Sequence, residues 1–197
     1  MKLIFIILLI ELALVFGNNK TPNLFTDKSN YAINFQLLDS FADSDINKLS
    51  TEIEIFFHRK VTVLKPVSIP VHYYDTITKM YSADSILNFL SHLNLPKKSV
   101  TLGLTHKPLF RIDYTYTIPM YDEGILGYTY QNGTISVATD NNIGVNKTIP
   151  ISRLRNDIIH EFGHIMGLLH CPNPNCAMSK RNCGPDYCDS CKKKLKI

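Results

Sequence analysis

No cysteine occurs before Cys171, no segment repeats, and no low-complexity linker divides the 197 residues. The chain is therefore expected to form one domain, or one domain with a small appendage. Charge of one sign is also scarce, with a formal net charge of +4. That balance gives no strongly basic face, and nucleic acid is not an expected partner. The one run of positive charge, Lys192–Lys194 near the C-terminus, is read as a solvated end. No apolar run reaches the roughly 20 residues of a membrane-spanning helix. Disorder is excluded by what is present: 45% hydrophobic residues, including ten Tyr and ten Phe, are enough to bury a core.

The N-terminus has the pattern of a processing signal. Met1 and Lys2 lead into the apolar run Leu3–Ile10, which resumes from Leu12 to Phe16. Val15 and Gly17 are small enough for cleavage after Gly17. Residues 1–17 are thus expected to be a signal peptide and 18–29 a flexible lead-in, with the domain occupying 30–197. A retained N-terminal anchor is the alternative, and Glu11 fits neither description well. After cleavage no membrane span would remain, and the mature protein is expected to be exported, secreted or periplasmic, and to act as a monomer. Asn19, Asn132 and Asn146 begin glycan acceptor patterns, which matter only in a eukaryotic secretory pathway.

Hydrophobic periodicity organises the rest. Tyr31–Leu38 reads as a strand and Ala42–Phe57 as an amphipathic helix, with Ile46, Leu49, Ile53 and Phe56 on one face. Val61–Ile69 reads as a second strand interrupted by Pro66. Ser82 is placed to cap a helix from Ala83 to Leu93, and Val100–Leu104 is a short buried strand. Lys107–Glu123, with aromatics and two prolines, is expected to be an irregular loop. Ile125–Tyr130 and Thr134–Thr139 flank Gln131-Asn132-Gly133, a hairpin signal. The polar stretch Asp140–Pro150 leads to a last long helix, Ser152–Met166. This order predicts a mixed α/β (α+β) sheet with helices packed on it.

The chemistry concentrates in His160-Glu161-Phe162-Gly163-His164-Ile165-Met166-Gly167-Leu168-Leu169-His170. His160 and His164 are four apart, so a helix puts both on one face, one turn from each other. Two such imidazoles can share one metal ion at bonds of ~2.0–2.1 Å. Glu161 follows the first of them and can reach a metal-activated water without ligating the metal. A continued helix would swing residue 170 away at ~100° per residue. Gly167 tolerates the left-handed conformation that ends a helix, so His170 can return as a third ligand. Three neutral imidazoles leave one open position for water. The predicted reaction is hydrolysis of a peptide bond, with zinc polarising the carbonyl and Glu161 as general base. His58, His72, His92 and His106 have no comparable partners and are read as surface or internally bonded residues.

Five cysteines follow: Cys171, Cys176, Cys183, Cys188 and Cys191. Cys171/Cys176 and the C-x-x-C pair Cys188/Cys191 suit a closed tetrahedral zinc site, or two disulfides, which export would favour. The run His160–Cys171, then Cys176-Ala177-Met178, then Cys188-x-x-Cys191, resembles the archaemetzincin family of metallopeptidases. The resemblance implies a metzincin-like zincin domain with a mixed, mainly parallel five-stranded sheet and a C-terminal Cys-rich zinc subsite, residues 171–191. It implies two zinc ions, one catalytic and one structural, the latter held by Cys171, Cys176, Cys188 and Cys191. It makes Met178 the Met-turn beneath the catalytic metal. The implied substrate is a peptide or protein; some members of that family look like aminopeptidases, and the residues themselves leave endo- and exo-cleavage open. Two features depart from the pattern: the nine residues 179–187 are a short gap, and Cys183 falls inside it as an odd thiol. The competing class is a catalytically silent, zinc-stabilised binding module. Glu161 discriminates, because such a module has no need of a base beside an open metal position.

Overall fold

The computed structural model describes residues 31–113, 120–130, 133–142, 147–180 and 183–195. The expected signal peptide and lead-in lie outside these residues.

The core is a five-stranded sheet. Its members are β1 (Ala32–Leu37), β2 (Val61–Leu64), β5 (Ser99–Thr105), β8 (Gly127–Thr129) and β9 (Ile135–Thr139), in the order β2-β1-β5-β9-β8. The first four run parallel, and β8 closes one edge antiparallel to β9, with Tyr128 opposite Val137. Every residue of the central strand β5 is buried, because helices cover both faces of the sheet. One layer is made by α1 (Asp43–Phe57) and α3 (Ile151–Ile165), whose Leu49, Ile53, Ile158 and Phe162 pack on Phe35 and Leu102. The other is made by α2 (Ala83–Ser91), whose Ile86, Leu87 and Leu90 pack with Leu38 and Val137. Val137 and Ala138, neighbours on β9, belong to the two different clusters, as the strand's two-residue period requires.

Local signals account for the helix ends. The Ser82 hydroxyl accepts from the Ser85 N–H at 3.2 Å and starts α2. Pro150, which has no N–H to lose, immediately precedes α3. His58 ends α1 in the left-handed conformation (φ 52°).

Three expectations are corrected. β2 stops at Leu64 and does not continue to Ile69, because Pro66 has no N–H for a ladder. Lys107–Glu123 is not an irregular loop. It holds β6 (Leu109–Asp113) and β7 (Met120–Ile125), antiparallel members of a second sheet, β3-β4-β6-β7, with β3 (Tyr74–Asp75) and β4 (Met80–Ser82). Pro108 stands just before β6 and not within it. The polar stretch Asp140–Pro150 carries a short pair, β10 (Asn141–Asn142) and β11 (Lys147–Thr148). A further helix, α4 (Asp189–Leu195), carries the last cysteine, Cys191. Among the described residues no helix is long and apolar enough to cross a membrane.

Candidate metal centre

His160, Glu161 and His164 all come from α3. His160 and Glu161 are buried there, on a helix whose other side carries Ile158, Ile159 and Phe162 into the core. The helix ends as the glycine requires. Gly167 has φ 85°, its N–H donates to the His164 carbonyl at 2.9 Å, and the Leu168 N–H donates to the Gly163 carbonyl at 2.8 Å. The reversed chain brings His170 back over the helix, its ring centroid 5.2 Å from that of His160 and 4.8 Å from that of His164.

The tautomers follow from the partners. His160 Nδ1 lies 2.7 Å from the Ala177 carbonyl and His164 Nδ1 lies 2.9 Å from the Leu168 carbonyl. A carbonyl only accepts, so both Nδ1 atoms carry protons. Burial holds His160 down at about 4 and lowers His164 and His170 as well, so at neutral pH all three rings are uncharged. The Nε2 atoms of His160 and His164 are then bare lone pairs 3.0 Å apart. Two lone pairs facing each other repel unless a cation lies between them. The three histidines offer nitrogen atoms within 4.8 Å of one another, a set that fits one metal ion, with the His160 and His164 rings each steered by a backbone carbonyl.

Glu161 is almost wholly buried, and one carboxylate oxygen accepts from the Thr129 hydroxyl of β8 at 2.6 Å. Burial, with Asp157 one turn earlier adding to it, pushes Glu161 up to about 8, against the pull of Thr129. Gly127, also on β8, lies so close that a β-carbon there would be 2.5 Å from the other carboxylate oxygen. A cleft of ≈ 500 Å³ runs along the β8 edge and is lined by His160, Glu161, His164 and His170.

The cysteines form a second cluster. Sγ atoms of Cys171 and Cys188 are 3.7 Å apart, as are those of Cys176 and Cys191, and all four lie within 4.8 Å of one another. Zn–S bonds of ~2.3 Å in a tetrahedron give S–S edges of about 3.8 Å, so the set fits a zinc ion. The N–H groups of Met178 and Cys188 both donate to Cys176 Sγ, at 3.4 and 3.3 Å, which suits a thiolate. Burial pushes the Cys176 and Cys191 thiols up, whereas the Cys191 N–H leads in drawing Cys188 down to about 7. Among the described residues all five cysteines are free thiols. Cys183 stands apart from the four at the cleft wall, its thiol donating to the Ser179 carbonyl at 3.8 Å.

The two clusters share one short segment. Cys176 belongs to the thiol set, and the Ala177 carbonyl orients His160. The Met178 carbonyl accepts from the Cys171 N–H at 2.8 Å, and its sulfur lies where a β-carbon on Gly163 would fall. Met178 thus packs against the histidine helix at Gly163. Tyr187 braces the same place, donating from its hydroxyl to the Ile159 carbonyl at 2.6 Å. Thr129, Gly127, Gly163, Tyr187 and the Ala177 carbonyl escaped the sequence analysis. Only Asp157 was findable, since its spacing from His160 and Glu161 puts it on their helix face. His58, His72, His92 and His106 lie outside the centre, and His106 is held by Asp140 at 2.8 Å.

A sheet with helices on both faces, an antiparallel edge strand and a histidine-bearing helix beside it define a metallopeptidase of the zincin type. The comparisons make this specific. The profile of peptidase family M54 matches residues 23–197. An archaemetzincin of Haloquadratum walsbyi is 30% identical over 129 residues, covering 60% of this chain and 69% of that protein. One from Pyrococcus furiosus is 26% identical over 167 residues, covering 75% and 83%. The crystal structure of the Archaeoglobus fulgidus archaemetzincin complexed with malonate superposes with a TM-score of 0.64 at 24% identity, over 83% of this chain and 99% of that one. That of Methanopyrus kandleri gives 0.66 at 22% identity, over 86% and 96%. The chain belongs to peptidase family M54, the archaemetzincins, and is a zinc metallopeptidase.

Proposed function

We propose that His160, His164 and His170 hold the catalytic zinc, that Glu161 is the general base, and that Cys171, Cys176, Cys188 and Cys191 hold a second, structural zinc. The observation that carries this is the pair of bare Nε2 lone pairs 3.0 Å apart, each ring anchored through its other nitrogen. Zinc at that point supplies a Lewis acid that polarises a carbonyl and lowers the pKa of water to about 7.

The chain's own residues do the rest. Glu161 takes a proton from the attacking water and delivers it to the leaving amine. Its raised proton affinity suits that exchange near neutral pH, and the Thr129 hydroxyl fixes which oxygen is free to act. The exposed side of β8 offers an extended substrate an edge to pair with, alongside the cleft. Gly127 keeps that edge close to the carboxylate. Export through residues 1–17 is part of the same proposal, and N-terminal sequencing of the mature protein should begin at Asn18.

The test pairs metal counting with hydrolysis. The Glu161→Gln protein is expected to keep its zinc and lose at least ~10²-fold in peptide cleavage, the lower range of a general base. Undiminished cleavage removes Glu161 from the mechanism, and a non-cleaving wild type with full zinc favours the binding module. Trimming from the N-terminus is read from acetylated and free-amine versions of one peptide: an aminopeptidase cleaves only the free one.

A further inference from the structure

The cleft carries more charge than hydrolysis uses. It runs past His160 toward the start of α3, where Asp157 and Arg153 stand about one and two turns before that histidine. Lys180 and Cys183, from the segment after Met178, line the same arm, and Arg111, Asp122 and Glu123 line the opposite side.

Most of these charges are compensated within the protein. Asp157, with 4% of its side chain exposed, receives Arg153 Nε at 3.3 Å. Arg111 is held by Asp122 at 3.0 Å and Asp113 at 3.7 Å, and its guanidinium covers the Tyr128 ring at 5.4 Å. Two cationic donor sets are left over. Only Nε of Arg153 is engaged, so its Nη groups have no partner among the described residues. Lys180 is exposed and pairs with no carboxylate among them. Glu123, across the cleft, is also unpaired, but it is exposed on β7, where charge is well screened.

We infer that this arm of the cleft selects a carboxylate-bearing residue of the substrate, gripped by Arg153 with Lys180 as a second cation. The inference rests on the peptidase reading of the same site. Asp157 fixes the guanidinium through Nε and leaves the Nη edge, whose paired N–H groups match a carboxylate. A lysine or arginine in that position meets two like charges and is rejected. The carboxylate can be an acidic side chain or the substrate's own C-terminus, since both present the same two oxygens.

The test uses the zinc-loaded full chain and one peptide sequence. Glu, Gln or Lys is placed at successive positions on both sides of the cleaved bond, each with a free or an amidated C-terminus. At one position Glu should exceed Gln in kcat/KM by roughly tenfold, the worth of a charged hydrogen bond, with Lys lower still. If the terminus is the ligand, amidation causes that loss instead. Lys180→Glu, at an exposed site, should shrink the preference about threefold. Arg153→Lys, which keeps a cation for Asp157, should shrink it further by losing the bidentate grip. The same Glu, Gln and Lys peptides, titrated by fluorescence onto the Glu161→Gln protein, give the preference without turnover. Cleavage with a flat profile, or a preference untouched in both variants, overturns the inference. Failure to cleave any peptide, with the binding preference intact, instead overturns the proposed hydrolysis.

Discussion

Glu161 is the residue on which most of the site converges. It shares its helix with His160 and His164 and meets Thr129 and Gly127 of β8. Replacing Gly127 by Ala puts a methyl group against its carboxylate. The expected outcome is a loss of kcat with zinc content unchanged, measured by steady-state kinetics and metal analysis on the same sample. Loss of zinc instead would place Gly127 in the metal's support. The titrations give a prediction for the metal-free protein. Glu161 is pushed up to about 8 when folded, against 4.5 for a solvated glutamate, so the unfolded chain releases that proton first. Stability from this residue is therefore full at low pH and is lost as pH rises through the window from 4.5 to about 8. Glu161→Gln removes the loss, so the variant's melting temperature should gain on the wild type across that window. A constant gap would contradict it. The histidines work in the opposite direction. His160 lies at about 4 when folded, against 6.5 for a solvated histidine, so its cost appears as pH falls between those values. None of this required the structure to name Glu161, His160, His164 or His170, because a helix's spacing puts the first three together and the Gly167 turn returns His170 to them. Thr129 and Gly127 were illegible, since only the fold brings a strand 32 residues away against that helix.

At the scale of elements, α3 and the segment Cys176-Ala177-Met178 are one mechanical unit. The segment holds a thiol of one cluster, the carbonyl that orients a histidine of the other, and the sulfur filling the space that Gly163 leaves open. Cys188→Ser should therefore weaken zinc at the histidines as well as among the thiols, seen as two ions released together in a chelator titration. Release of one ion, with activity intact, would show the clusters to be independent. Gly163→Ala should destabilise by about 1–3 kcal/mol, the cost of overpacking a filled core, in a denaturant titration. The helices and the parallel strands were legible because apolar periodicity and the Ser82 cap are local signals. β6 and β7 were not. Tyr121 is exposed and only Leu109 and Phe110 of the pair are buried, so no alternating apolar face marked them, and Pro108 read as a break when it is a border. Their misreading hid Arg111 and Asp122, which come from those strands and line the cleft.

For the whole molecule, the sheet order puts β8 at the edge, where Thr129 meets the histidine helix, and the cysteines Cys176 and Cys191, the latter on α4, pack in the same core cluster as that helix's Ile158 and Phe162. The resemblance carried that architecture further than the residues' periodicity could, since strand order is not a local property. Spacing left Cys183 open, and the fold places it apart from the four clustered thiols, bonded to the Ser179 carbonyl. The central claim is that two chemically different zinc sites lie in one chain, one of nitrogen and one of sulfur. Zinc-edge X-ray absorption on the purified protein tests it directly. The account predicts two zinc ions per chain and a mixed shell, with sulfur at ~2.3 Å and nitrogen or oxygen at ~2.0–2.1 Å in nearly equal shares. A single sulfur-only shell at one ion per chain would contradict it.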